Sequence, residues 1–308
     1  MRSPIGDRDM SAGPHPDALL GFYGPGTQMW HINREAVLLG AGPAALLLQV
    51  AHPLIAEGVA QHSDFAGDPF GRLRRTLATT MDMVFGDGAT AERAVRRLNA
   101  VHAGVRGSVV DPVAAAATGA DAYRALDPEL LLWVQTTLII MSVRGYRAWV
   151  GPLGRSQVET FWSEARQVGV RMGIPLTVSP ADWSALEAYW LRMLRRDGPI
   201  QVTPTARLLA PMIIRPPLPL VPGALIDLTA LPGLGLLPPR LREAYGLPWG
   251  PGRDRSARVL GRAVRLWAAV VPPDWRAMPQ ARAADRRVKQ RVGMTLESGL
   301  SPKEPMRA

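Results

Sequence analysis

From Ala36 to Ala56 the chain carries no Asp, Glu, Lys or Arg. About twenty uncharged, mostly apolar residues can cross a bilayer as one helix, so any fold this chain adopts has to hide them somewhere. Gly42, Pro43, Gln49, His52 and Pro53 interrupt the run. A proline removes an amide donor and clashes with the turn before it, and a polar side chain in hydrocarbon leaves its hydrogen-bonding groups unmet. These breaks predict a segment buried in a protein core rather than a membrane span. A chain of 308 residues with 47% hydrophobic content has the material for such a core.

The rest of the chain reads as helix. Pro69 to Phe85 is expected to start after an Asp68 cap and stop at Gly86, with Leu73, Leu77, Thr80, Met81 and Val84 on one stripe. Thr90 is expected to cap a second helix. Its Ala91, Ala94, Val95, Leu98, Val101, His102 and Val105 recur at spacings of three and four, opposite Arg93, Arg96, Arg97 and Asn99. Asp127-Pro-Glu begins a third helix to about Val150, Ser156 to Met172 forms a fourth, and Ser179-Pro-Ala-Asp caps a fifth. Between Ile200 and Pro251, Pro and Gly divide the apolar runs, which predicts irregular segments and short helices draped over the core, or an apolar lip around a cavity or membrane face. Arg253 to Val270 and Met278 to Arg291 are two further helices. The expected fold is all-α, one globular domain of about eight to ten helices with an irregular Pro/Gly-rich segment.

Composition removes several chemistries. With no cysteine, thiolate zinc sites, iron-sulfur clusters, disulfides and a cysteine nucleophile are excluded, and a metal has to rest on His or carboxylate. The net charge of +10 is almost all arginine, scattered among acids, and the densest basic run, Arg282 to Arg291, has no interleaved aromatics. That pattern argues against nucleic acid and for a solvated or membrane-surface face. Met1 to Asp17 is polar with no apolar signal-peptide core, so a cytoplasmic location with membrane-surface contact is expected. There is no G-x-S-x-G elbow, Walker loop, H-E-x-x-H or E-x-x-H pair, and Gly40 and Gly42 complete no G-x-G-x-x-G.

Three of the five histidines fall between residues 51 and 106. His102 lies on the apolar stripe of its helix, where an imidazole is either a satisfied core residue or a ligand. Ala103 and Gly104 after it would admit a flat macrocycle, and Arg72 and Thr76 stand one turn apart on the neighbouring helix. A haem needs one axial imidazole, apolar walls and a cation or donor nearby, and this chain can supply each. Arg72 and Thr76 read equally as an exposed arginine and a helix-interior threonine. His62 and Asp64 are either part of a capping turn or an imidazole and acid on the distal side of the site. His52 is expected to bond a carbonyl freed by Pro53, and Glu57, one and a half turns later, is a candidate base in the same cavity.

The segments A-H-P at 51–53, H-S-D-F at 62–65, R-L-R-R-T at 72–76, V-F-G-D at 84–87, H-A-G-V-R at 102–106 and D-P-E-L-L-L-W-V at 127–134 together resemble the DUF2236 family, which includes the oxygenase MpaB and the rubber-cleaving latex clearing protein. The resemblance covers about residues 30 to 200. It implies an all-α fold holding haem b through one proximal histidine, and cleavage of carbon-carbon double bonds in polyisoprenoid chains with dioxygen. By motif it makes His102 the iron ligand, Arg72 and Thr76 the arginine and threonine needed by rubber-cleaving members, and Glu57 their base. The implied organisation is a disordered leader at 1–20, an oxygenase-like helical core at 21–200, a C-terminal helical part of the same domain at 201–295, and a disordered tail at 296–308. One departure is Gln135, where many members carry a histidine in W-V-H-A-T-L; Gln is not a usual haem ligand. The expectation is a haem b-dependent oxygenase of a hydrophobic isoprenoid or lipid-like substrate. The alternative is a cofactor-free helical protein that binds lipid or docks a partner.

Overall fold

Helix α7 (Pro128–Trp149) is apolar on nearly every side, and a helix of that kind is stable only where other elements enclose it. Its 22 residues span roughly 33 Å at the α-helical rise. Trp133, Thr136, Thr137 and Met141 along it are almost fully buried. The computed structural model describes residues 20–62, 69–216 and 222–299, with the side chains of 69, 70, 72, 73, 224 and 291–299 outside that description. Among the described residues the fold is all-α, as the periodicity requires, with a two-stranded ribbon that the sequence pattern did not announce.

The elements before α7 are α1 (Gln28–Asn33), a 3-10 segment (Ala36–Ala41), α2 (Gly42–Val50), α3 (Pro53–His62), α4 (Pro69–Phe85), α5 (Gly88–Gly104), β1 (Arg106–Ser108), α6 (Pro112–Thr118) and β2 (Ala122–Arg124). After it come α8 (Arg155–Arg171), α9 (Trp183–Met193), α10 (Pro204–Ile214), α11 (Gly223–Leu234), α12 (Pro239–Ala244), α13 (Pro251–Val270), α14 (Pro273–Arg276) and α15 (Pro279–Gly299). The 3-10 segment, α2, α8 and α13 surround α7, while α4 and α5 form a helical hairpin backed by α15. The ribbon pairs Arg106 with Arg124 and Ser108 with Ala122, antiparallel.

The uncharged run bends by 105° between its first part, Ala36–Val50, and α3. No single helix among the described residues is long and apolar enough to cross a membrane. Ala44, Leu47, Leu48, Ala51 and Ala56 are buried in the core. The bend is stitched from outside the segment: Trp133 Nε1 donates to Leu48 O at 3.0 Å, and the Gln201 amide donates to Ala51 O at 2.9 Å. His52, expected to bond a carbonyl freed by Pro53, has a buried Nδ1 with no partner among the described residues, while the Gln49 carbonyl four residues before the proline accepts from the His52 amide at 3.0 Å. Backbone contact at this level is close. A Cβ on Gly233 of α11 would lie 1.9 Å from Gly40 O, so only glycine permits α11 to cross the 3-10 segment.

Several helix starts differ from the sequence reading. Asp87, not Thr90, caps α5, its carboxylate accepting from the Thr90 amide at 2.7 Å; Asp182, not Ser179, caps α9 through the Ala185 amide. In both cases the carboxylate sits three residues before the amide it must reach. The expected Asp68 cap lies outside the described residues. Among the described residues helices number fifteen rather than eight to ten, since short α1, α6 and α14 add to the count and the Pro/Gly-rich stretch folds as α10, α11 and α12 with Pro211 and Pro232 inside helices. Helix α15 runs to Gly299, into the span read as tail; residues 1–19, and so nearly all of the expected leader, lie outside the description.

Candidate active site

The α4–α5 hairpin sets the position of His102. The two helices are equally long and joined by a short turn, so the last turn of α5 lies beside the first turns of α4. Their interface holds Met83, Ala94 and Val95, packed by Phe22, Leu98 and Met172. His102 continues this face one turn beyond Leu98 and is half-buried. Its Nδ1 is buried and has no hydrogen-bond partner among the described residues. Burial lowers the imidazole below the ordinary histidine value, so the ring is neutral at pH 7 and one nitrogen keeps a free lone pair.

Helix α3 lies against the segment that follows His102. A Cβ on Gly58 would stand 3.3 Å from the Tyr123 ring and 3.6 Å from Val105 Cγ1, so the missing side chain lets α3 approach the exit of α5. At the end of α3, exposed His62 forms a hydrogen bond between Nε2 and Arg106 O at 3.1 Å, its ring edge-on to Tyr123.

Glu57, on the inner side of α3, is 2% exposed and is the centre of a polar cluster. The Val110 amide donates to Oε2 at 2.8 Å and Gln61 Nε2 at 3.0 Å; Gln61 in turn accepts from the Tyr123 hydroxyl at 2.9 Å. Thr205 Oγ1 stands 3.1 Å from Glu57 Oε1 and 2.9 Å from Asp111 Oδ2. A hydroxyl has one proton, so it donates to one carboxylate at a time. Burial pushes the Asp111 carboxyl up, but hydrogen bonds from Thr205, Val113 and Ala114 outweigh it and hold the group below the usual aspartate value. This cluster joins α3, the start of α6 and the start of α10.

Asp111, Thr205, Gln61 and Tyr123 were not singled out from the sequence. The available signal was local: Asp111-Pro112 and Thr203-Pro204 are N-cap and first-turn proline pairs, and both caps form. That these two caps meet at Glu57 is a tertiary fact. Of the other candidates, Thr76 is exposed on α4 and its carbonyl accepts from Thr80 Oγ1. Arg72 is on the first turns of α4 with its side chain outside the described set, and Asp64 lies wholly outside it. His52 is buried at the α2–α3 junction, where burial pushes its imidazole down to about 4. Gln135 is turned into the α7–α8 seam, its Nε2 donating to Ala165 O at 2.8 Å; a Cβ on Gly169 would lie 2.9 Å from the amide, so Gly169 makes room for it. No group of three or more His, Asp or Glu able to hold a metal ion occurs among the described residues.

Residues 29–266 match the family model described as ER-bound oxygenase mpaB/B'/Rubber oxygenase, catalytic domain, and the chain belongs to that family. It is an oxidoreductase of the oxygenase type. The match runs beyond residue 200, where the recognisable motifs end, and takes in α10 to α12 and most of α13. Among curated proteins and among solved structures nothing matches the chain.

Proposed function

We propose that this oxygenase binds haem b through His102 and uses dioxygen to oxidise or cleave a hydrophobic substrate of isoprenoid or lipid-like character. The observation that carries the reading is the His102 ring itself: burial lowers its imidazole, and its buried Nδ1 has no partner among the described residues. Haem iron takes its axial ligand from such an imidazole. The residues present thus fit the group, and when bound it supplies the redox chemistry that activates dioxygen.

The chain's own contribution is positional. Arg72, at the level of His102, supplies a positive charge for a propionate or for negative charge that develops on oxygen. Thr76, one turn further, offers a hydroxyl to orient substrate or water. Glu57 is the base, held in place by Val110, Gln61 and Thr205 so that its carboxylate does not swing. His62, with Nε2 engaged by Arg106 O, lies at the outer rim. Gln135 is committed to Ala165 and takes no part in holding the cofactor.

Absorption spectroscopy tests the assignment. His102→Ala protein purified with added haem is expected to lose the Soret band, while His62→Ala keeps it. Full haem occupancy in the His102→Ala protein removes His102 as the ligand.

A further inference from the structure

Helix α13 has two apolar faces and the fold uses only one. Ala257, Gly261 and Ala268 form the inner face against α7 and α11; Gly261 is so close to Trp149 that a Cβ there would lie 3.3 Å from its Nε1. On the opposite side Val259, Leu266 and Val270 are 55, 69 and 80% exposed. Their spacing of seven and four places them on one stripe, which exposed Ala263 completes. Trp267 borders the stripe, and Trp275 of α14, just beyond its end, is 80% exposed. The solvent-facing side of a helix in a water-soluble fold ordinarily carries charge.

The charge is at the edge instead. Arg255 and Arg262 stand four before and three after Val259, next to the stripe, exposed and without an ion pair among the described residues. Arg258 pairs with Asp254, the single acid of α13, against five arginines in the helix. Helix α11, packed on α13, exposes Leu225 and Leu228.

We infer that this face of α13 and α14 lies on a lipid bilayer with anionic headgroups, the apolar stripe and tryptophans entering the interface and the arginines meeting the headgroup charge. An apolar face with Trp and Leu, edged by arginine, is the composition of helices that lie in a membrane interface. A second copy of the chain is the poorer occupant. Packing the stripe on itself would bring two arginine borders together, and the acids nearby, Asp254 and Asp274, are already paired with Arg258 and Arg34. The inference is independent of haem.

The test is co-sedimentation of the purified full chain with phosphatidylcholine vesicles with and without phosphatidylglycerol. Binding is expected only with phosphatidylglycerol, and to weaken with salt. Leu266→Asp with Val270→Asp should lower it by more than about tenfold, and Arg255→Glu or Arg262→Glu by at least roughly fivefold each. Unchanged thermal melting shows that the variants fold, as exposed positions allow. The inference is overturned if the wild-type chain stays in the supernatant, if the variants bind equally well, or if light scattering shows a dimer that Leu266→Asp splits while vesicles go unbound.

Discussion

Replacing Thr205 with Val probes whether the cluster around Glu57 is a single unit. Valine keeps the shape and leaves the Thr205 amide bond to Asp111 Oδ2, at 3.1 Å, in place. What disappears is the hydroxyl between Glu57 Oε1 and Asp111 Oδ2. Because it has one proton, the loss equals one charge-assisted hydrogen bond, not two. Asp111 retains its amide donors, but Glu57 Oε1 loses the one donor seen for it in a site where the residue is 2% exposed. A buried charged acceptor left short of a donor costs about 2–3 kcal/mol, and Thr and Val have similar helix propensity, so no backbone term offsets it. In a chain of this size that is a fall in Tm of roughly 5 °C. Thr205→Ser, which keeps the hydroxyl and loses a methyl, should cost under about 1 kcal/mol. Urea unfolding of wild type, both Thr205 variants, Glu57→Gln and the Glu57→Gln/Thr205→Val pair closes a double-mutant cycle, with an expected coupling of about 1–2 kcal/mol. If Thr205→Val unfolds with wild type, or the cycle shows no coupling, the two carboxylates are not linked through this hydroxyl and Glu57 is not held as described.

Burial pushes His52 down to about 4, so below pH 6.5 the unfolded chain takes a proton that the native chain refuses. Its contribution is therefore complete above the unfolded value and is lost as pH falls toward 4; between about pH 6.5 and pH 5 stability should drop by about 2 kcal/mol, and His52→Gln should flatten that part of the urea-midpoint profile. Asp111, depressed below its ordinary value, works in the same direction at lower pH, its stabilisation being lost as pH falls through and below about 4. Gly233→Ala should destabilise by more than about 3 kcal/mol or prevent folding, because its Cβ would meet the Gly40 carbonyl, which is backbone and has no rotamer to give; a melting curve like that of wild type would show that α11 does not cross the 3-10 segment so closely.

The sequence by itself determined the longer helices and singled out the candidate residues. Residues at intervals of three and four need only local geometry to form a stripe, so α4 was legible from Pro69 to Phe85 and His102 was placed on the inner face of α5 before any neighbour was known. The breaks in the uncharged run were legible for the same reason, since Gly42, Pro43 and Pro53 act on their own turns. Tertiary structure decided what each local group met. Leu48 O is met by Trp133 because α7 brings an indole donor to it, a pairing across 85 residues that no spacing rule contains. Thr205 reached Glu57 across 148 residues, through two helix caps that looked like ordinary starts. On α13 apolar residues lie on both sides, and only packing decided that Ala257, Gly261 and Ala268 turn inward. Small residues admit α7 and α11 at close range, which leaves the larger Val259, Leu266 and Val270 facing out.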